Sequence, residues 1–170
     1  MLNYRLAADA TAKPWQRYQA IYVHIPFCVQ KCLYCECLTQ LVEALKANGF
    51  WRRPREATIE VNPGTADLAK LQALRALGFD RISFGVQSLQ DSELRTIGRI
   101  HTAQQALEAV ALAREAGFRR INADLIYGLP GQTLTSLQDT LERLTATGIE
   151  HLSVYGLIVE EGTPLEKLVD

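Results

Sequence analysis

An α/β fold on a parallel sheet, open or curled into a partial barrel, is what this 170-residue chain predicts. Helix-period apolar stretches alternate with short β-rich runs along it. The helical stretches end in glycine at 49, 78, 117 and 148, and an apolar residue follows each: Phe50, Phe79, Phe118 or Ile149. Glycine just past a helix is the usual left-handed cap, so the recurrence marks a repeated unit of helix, stop and strand. Strands alternating with helices through right-handed crossovers give a parallel sheet. About five strand–helix units are expected. A full eightfold barrel takes about 250 residues, so a partial parallel (β/α) barrel is the expected form.

The elements can be read in order. Residues 21–25 are an apolar run and the first expected strand. Leu38, Leu41, Val42 and Leu45 share one face of a helix expected over 38–47. A strand follows at 57–61, then a helix carrying Leu68, Leu71 and Leu74, with Thr65 as its cap. The third strand spans 81–86. Thr102 with Gln105 fits a capping box before the helix of Leu107, Val110 and Ala111. The fourth strand spans 121–126. Thr135 with Gln138 fits a second box, before Leu137, Leu141 and Leu144, and the last strand covers 151–157.

Composition narrows the function classes. Hydrophobic residues make up 48%, enough for a substantial core, and the formal net charge is −1 with a pI near 6.3. No nucleic-acid footprint follows from that balance. The basic run at 51–55 reads as a solvated edge. No apolar run reaches the ~20 residues of a membrane span, so no transmembrane segment is expected. Residues 1–19 read as an N-terminal arm and 20–170 as one core domain. No phosphate-binding P-loop or dinucleotide fingerprint occurs.

Candidate chemistry gathers where parallel β/α folds bind ligands, at the carboxyl ends of the strands. Glu60 and the Asn62-Pro-Gly64 turn end one strand, and Gln87-Ser88 ends the next. Asp124 lies late in the fourth, which runs into Tyr127-Gly-Leu-Pro-Gly131; Glu160 and Glu161 follow the fifth. Glu60, Gln87 and Asp124 interrupt apolar strands, where an uncompensated polar group is costly to bury. Arg99, in Gly98-Arg-Ile-His101, sits before a helix. His101 and His151 read as structural, and Tyr127 and Tyr155 as core or pocket wall.

Three cysteines in one loop, Cys28-x-x-x-Cys32-x-x-Cys35, follow the first apolar run. Thiolates this closely spaced suit an iron–sulfur cluster, with three ligands leaving the fourth iron of a cubane open. A structural zinc site wants four ligands, usually as two separated pairs, and the only other cysteine is Cys37. Disulfides are the remaining reading, and four cysteines within ten residues leave little loop to staple. The cluster reading leads, and it implies a reducing, cytoplasmic setting.

Taken together, Tyr22-Val-His-Ile-Pro-Phe-Cys28 with Cys32, Tyr34 and Cys35 resembles the radical S-adenosylmethionine (SAM) superfamily. Within it, the chain is similar to the oxygen-independent coproporphyrinogen III oxidases and their haem-chaperone relatives. Further matches are Ile59-Glu-Val-Asn-Pro-Gly64, Ile82-Ser-Phe-Gly-Val-Gln-Ser88, Gly98-Arg-Ile-His101, Asp124-Leu-Ile-Tyr-Gly-Leu-Pro-Gly131 and Tyr155-Gly-Leu-Ile-Val-Glu-Glu-Gly-Thr-Pro164. The resemblance implies a 4Fe–4S cluster on Cys28, Cys32 and Cys35, with SAM chelating the open iron and yielding a 5′-deoxyadenosyl radical. It also implies that Tyr22, Glu60, Gln87, Arg99 and Asp124 surround SAM. Expected partners are SAM, haem or a porphyrinogen, a reducing electron donor and haem-acceptor proteins.

The chain departs from the family in two ways. The family inserts a helix and a strand, ending in a Gly-Gly-Gly-Thr-Pro-type turn that binds the SAM amino group, between the cysteine loop and the helix at 38–47. Here only 36–39 bridge that gap, so one βα unit is expected to be deleted, weakening the grip on SAM. The family also continues into a C-terminal substrate domain, beyond the end of this sequence. Gly98-Arg-Ile-His101 and Val159-Glu-Glu-Gly-Thr-Pro164 lean to the haem-chaperone branch and Cys37 to the oxidase branch. A haem chaperone is the expected function, the oxidative decarboxylase is the alternative, and an inactive truncated product is the third reading.

Overall fold

The structure is a computed structural model that describes residues 21–23, 34–51 and 54–169, with backbone alone for 34–37 and 168–169. Residues 1–53 and 54–170 form two compact units. In the first, helix α1 runs over Tyr34–Ala47, with Val42 its buried position. The helix therefore starts four residues before the expected 38 and takes in Cys35 and Cys37, so no separate linker at 36–39 exists. Of the expected strand at 21–25, residues 21–23 are described and form none. All three are exposed.

The second unit carries four parallel strands in the order of the chain: β1 (Thr58–Val61), β2 (Arg81–Gln87), β3 (Arg120–Tyr127) and β4 (His151–Gly156). Between them lie a 3-10 turn at Pro63–Thr65, α2 (Leu68–Leu77), α3 (Asp91–Thr96), α4 (Ala103–Glu115) and α5 (Leu134–Ala146); α6 (Glu166–Val169) follows β4. Four strands thus stand among the described residues where five were expected. The glycines at 49, 78, 117 and 148 all have positive φ, from 72° to 110°, as left-handed helix stops require.

The starts of the helices correct two expectations. Thr102 and Gln105 form the expected capping box on α4. Asp67, not Thr65, caps α2: its Oδ1 accepts from the Lys70 N–H at 2.8 Å, while Thr65 belongs to the 3-10 turn. Thr133 with Ser136, not Thr135 with Gln138, forms the box on α5. Both motifs fit the same short sequence. The turn after β3 brings the chain back in time for the earlier one to start the helix.

Side-chain alternation gives the sheet two unlike faces. Ile82, Phe84, Val86, Ile121, Ala123 and Leu125 point to one side and are fully buried, with Leu71, Ala106, Ala109, Val110, Ala113 and Phe118 completing this core. The alanines at 106, 109 and 113 recur along α4 at helical spacing, so its backbone can approach β2 closely. The other side carries Glu60, Ser83, Asn122 and His151 in one register row, then Gly85, Asp124 and Ser153 in the next.

Candidate functional site

That second face is a hydrogen-bonded polar surface. Asn122, 1% exposed, donates through Nδ2 to Ser83 Oγ at 2.6 Å and to Asp124 Oδ1 at 2.7 Å. Ser83 Oγ donates in turn to Asp124 Oδ2 at 2.8 Å. Asn122 Oδ1 accepts from Ser153 Oγ at 3.2 Å and lies against His151 Nδ1. A buried polar residue is tolerated when its bonds are made, and Asn122 is bonded on both amide atoms. Asp124 is consequently fixed in orientation, each oxygen holding one donor and keeping capacity for another.

Towards the carboxyl ends, β2 is irregular. Gly85 pairs with Asp124, but Gln87 pairs with Leu125, so one extra residue bulges out. Gln87 sits at φ 66°, the only described non-glycine residue with positive φ, and the Ser88 N–H donates to Val86 O at 2.8 Å. This is a three-residue γ-turn in its rare positive-φ form. Arg99 reaches in from the loop before α4. Its Nη2 donates to Gly85 O at 2.7 Å and to Asn62 Oδ1 at 2.8 Å.

Gly85 is the hub of this arrangement. A Cβ there would lie 2.8 Å from Arg99 Nη2, 3.2 Å from Gln87 Nε2 and 3.7 Å from Asn62 Oδ1. The missing side chain leaves room for a guanidinium, an amide and a carboxamide oxygen to converge beside the Asp124 carboxylate. Of the sequence-predicted site residues, the structure gathers Gln87, Arg99 and Asp124 at this point. Glu60 is exposed on the same face, one register row below.

The surrounding loops are pinned by buried groups. Glu93, 4% exposed, accepts from Ser88 Oγ at 2.6 Å, Ser136 Oγ at 2.5 Å and Gln132 Nε2 at 3.1 Å. Gln132 Oε1 also accepts from the Gly128 N–H at 2.7 Å, which fixes the Gly128-Leu-Pro-Gly131 turn at the end of β3. His101, 4% exposed, shares a hydrogen bond with Val86 O at 3.1 Å. A carbonyl only accepts, so Nε2 carries the proton. Burial pushes the His101 pKa below its ordinary 6.5, and the Arg99 charge adds to that. His101 is structural, as the sequence suggested.

Other expectations fall elsewhere. Cys28 and Cys32 lie outside the described residues, and Cys35 is in the first turn of α1. Tyr22 is exposed, in the first unit. Tyr127 is half exposed, its ring against Gly156, and Tyr155 is exposed on β4. Sequence reasoning missed Asn62 as a side chain, having taken it only as a turn former, along with the Ser83–Asn122–Ser153 row. Ser83, Asn122, Asp124 and Ser153 each sit between apolar or small residues of their strands, and that alternation was the available signal.

A four-stranded parallel sheet with helices over its apolar face and a hydrogen-bonded polar row on the other defines the class: an α/β domain of partial (β/α) barrel type. Residues 38–144, more than half of the chain, match the radical SAM superfamily, and the chain belongs to it. Proteins of this superfamily use a 4Fe–4S cluster and SAM. The haem chaperone HemW of Bacillus subtilis is 41% identical over 114 residues, 67% of this chain and 30% of that protein. HemW of Haemophilus influenzae is 29% identical over 199 residues, 85% of this chain and 52% of the relative. Among solved structures, coproporphyrinogen III oxidase HemN from Escherichia coli superposes with a TM-score of 0.68 at 36% identity, over 74% of this chain and 29% of that one.

The chain thus spans about half the length, or less, of the curated relatives it matches. The 199-residue alignment takes in 85% of 170 residues, about 145, so about 54 of its positions have no counterpart here. No helix among the described residues is long and apolar enough to cross a membrane.

Proposed function

We propose that this chain binds SAM on the polar face of its sheet and a 4Fe–4S cluster on Cys28, Cys32 and Cys35, and that it serves haem metabolism as a haem chaperone does. One observation carries the SAM part: Arg99, Gln87 and Asn62 converge over the empty side-chain position of Gly85, beside an oriented Asp124. This donor set fits SAM. The carboxylates of Asp124 and Glu60 suit ribose hydroxyls or the amine, while Arg99 and Gln87 suit a carboxylate or hydroxyls. Tyr22 completes the proposed set.

The cluster and SAM, when bound, supply one-electron chemistry that no side chain here can perform. The protein's part is position and the exclusion of water. Arg99 holds its guanidinium in place through two acceptors, and Asp124 is oriented by Ser83 and Asn122. The matched superfamily stretch begins just past Cys35, so the cysteine ligands rest on their own spacing.

The haem-chaperone reading is supported by the HemW relatives, at 29% and 41% identity. It carries with it a reducing electron donor, haem-acceptor proteins and a cytoplasmic setting. The likeness to HemN, at 36% identity, favours a second reading: anaerobic oxidative decarboxylation of coproporphyrinogen III. The unmatched positions in the HemW alignment support the deletion of one βα unit, and the amino-group contact to SAM is proposed to be lost with it.

The test is anaerobic reconstitution. The chain should gain a brown chromophore near ~400 nm that is lost when Cys28, Cys32 or Cys35 is replaced by alanine and mostly kept in Cys37→Ala. Stoichiometric haem binding without turnover supports the chaperone, and porphyrinogen decarboxylation supports the oxidase. Material holding zinc or no metal, and binding neither SAM nor haem, would refute both.

A further inference from the structure

A glutamine at φ 66° is held against its own preference, because positive φ brings the Cβ of any L-residue close to its backbone. Such a conformation persists only where the surroundings over-determine it. At Gln87 the surroundings do so from three directions. Arg99 Nη2 donates to the carbonyl of Gly85, two residues before it. His101 Nε2 donates to the carbonyl of Val86, which also accepts the Ser88 N–H that closes the γ-turn. Ser88 is anchored through Oγ to the buried Glu93.

The consequence is directional. By alternation Gln87 falls on the polar face with Ser83 and Gly85, while Val86 is buried in the core. The bulge and turn fold it back along that face, with Nε2 3.2 Å from the Gly85 Cβ position, beside Arg99. His101 is buried with its Cβ 3.2 Å from the Cβ position of Gly64, wedged between the Asn62–Gly64 turn and β2. Neutral His101 donates as required, and burial keeps it neutral by lowering its pKa.

We propose that His101 is a positioning residue: its bond to the Val86 carbonyl sustains the strained turn that aims the Gln87 amide at the SAM-binding gap. The proposal rests on the SAM reading given above. It gives the Gly98-Arg-Ile-His101 loop two tasks, since Arg99 lines the gap while His101 shapes the strand that the gap is cut into.

The experiment uses the full chain with its cluster reconstituted. SAM affinity is measured by calorimetry, and the backbone by hydrogen–deuterium exchange of the peptide spanning 84–90. His101→Leu should raise the Kd for SAM about tenfold, the worth of one hydrogen bond to a buried carbonyl, and speed exchange in that peptide. His101→Gln, whose amide can reach the same carbonyl, should restore most of both. Should the leucine variant not fold, His101→Asn replaces it, its shorter amide falling short of Val86.

The decisive arm removes the strain. Glycine adopts φ 66° freely, so in a Gln87→Gly background the leucine change should no longer disturb the 84–90 peptide or weaken SAM further. Equal effects of His101→Leu with glutamine and with glycine at 87 would overturn the clamp, as would unchanged SAM binding in His101→Leu. A wild-type chain that carries the cluster and fails to bind SAM would overturn the functional reading instead, and this inference with it.

Discussion

Replacing Gly85 with alanine separates binding from stability at the one position where the two can be read apart. The added methyl would stand 2.8 Å from Arg99 Nη2 and 3.2 Å from Gln87 Nε2, both inside ordinary contact distance. Both are ends of flexible side chains, so they can move aside, and Arg99 would loosen its bonds to Gly85 O and Asn62 Oδ1. Bonds from a charged donor are worth about 1.5–3 kcal/mol, but Arg99 is only half-buried and water replaces part of the loss. Gly85 is not at positive φ, so alanine also stabilises by about 0.4–1 kcal/mol through the unfolded chain. Net destabilisation should stay near 1 kcal/mol, a Tm shift of about 2–4 °C for a chain this long. The Kd for SAM should rise about tenfold or more, because the methyl displaces Arg99 and Gln87, two of the proposed SAM contacts. Calorimetric titration beside urea unfolding measures both. Wild-type affinity at unchanged stability would show that the gap over Gly85 is not where SAM sits.

Three further outcomes are expected. Asn122→Ala leaves Ser83, Asp124 and Ser153 short of a partner in a buried row, and should cost about 2–3 kcal/mol in urea unfolding while loosening Asp124. Because the folded-state pKa of His101 lies below 6.5, the unfolded chain takes up a proton first as pH falls. Stability should therefore drop from about pH 6.5 downwards, by at most about 1.4 kcal/mol per pH unit, and level off below the folded-state value; in His101→Gln this contribution vanishes. Asp67→Ala removes the cap of α2 and should cost about 1 kcal/mol, with SAM affinity unchanged since α2 lies outside the site.

Much of the architecture was legible because it is written locally. A glycine stop needs only its own φ, and apolar residues at helical spacing need only a core to face. The helix stops and β2 to β4 accordingly stand within a residue or two of where the pattern places them. Signals that compete at short range were not legible. Asp67 outcompeted Thr65, and Thr133 outcompeted Thr135, because each pair offers the same cap chemistry and the tertiary turn selects which backbone N–H groups need it.

The candidate site divides along the same line. Glu60, Gln87, Arg99 and Asp124 were visible as polar residues at strand ends and in a loop motif. What each does was not. Nothing near Asn62 in the sequence says that its side chain holds Arg99, 37 residues away, since that bond exists only once β1 and the α3–α4 loop meet. The sequence by itself determined which residue types alternate along each strand, and with that a polar face and an apolar one. Tertiary structure alone decided that β2 bulges at Gln87 and that Arg99 and His101 hold it there. A strained turn is stable only when groups from distant segments surround it, and no local pattern encodes their arrival.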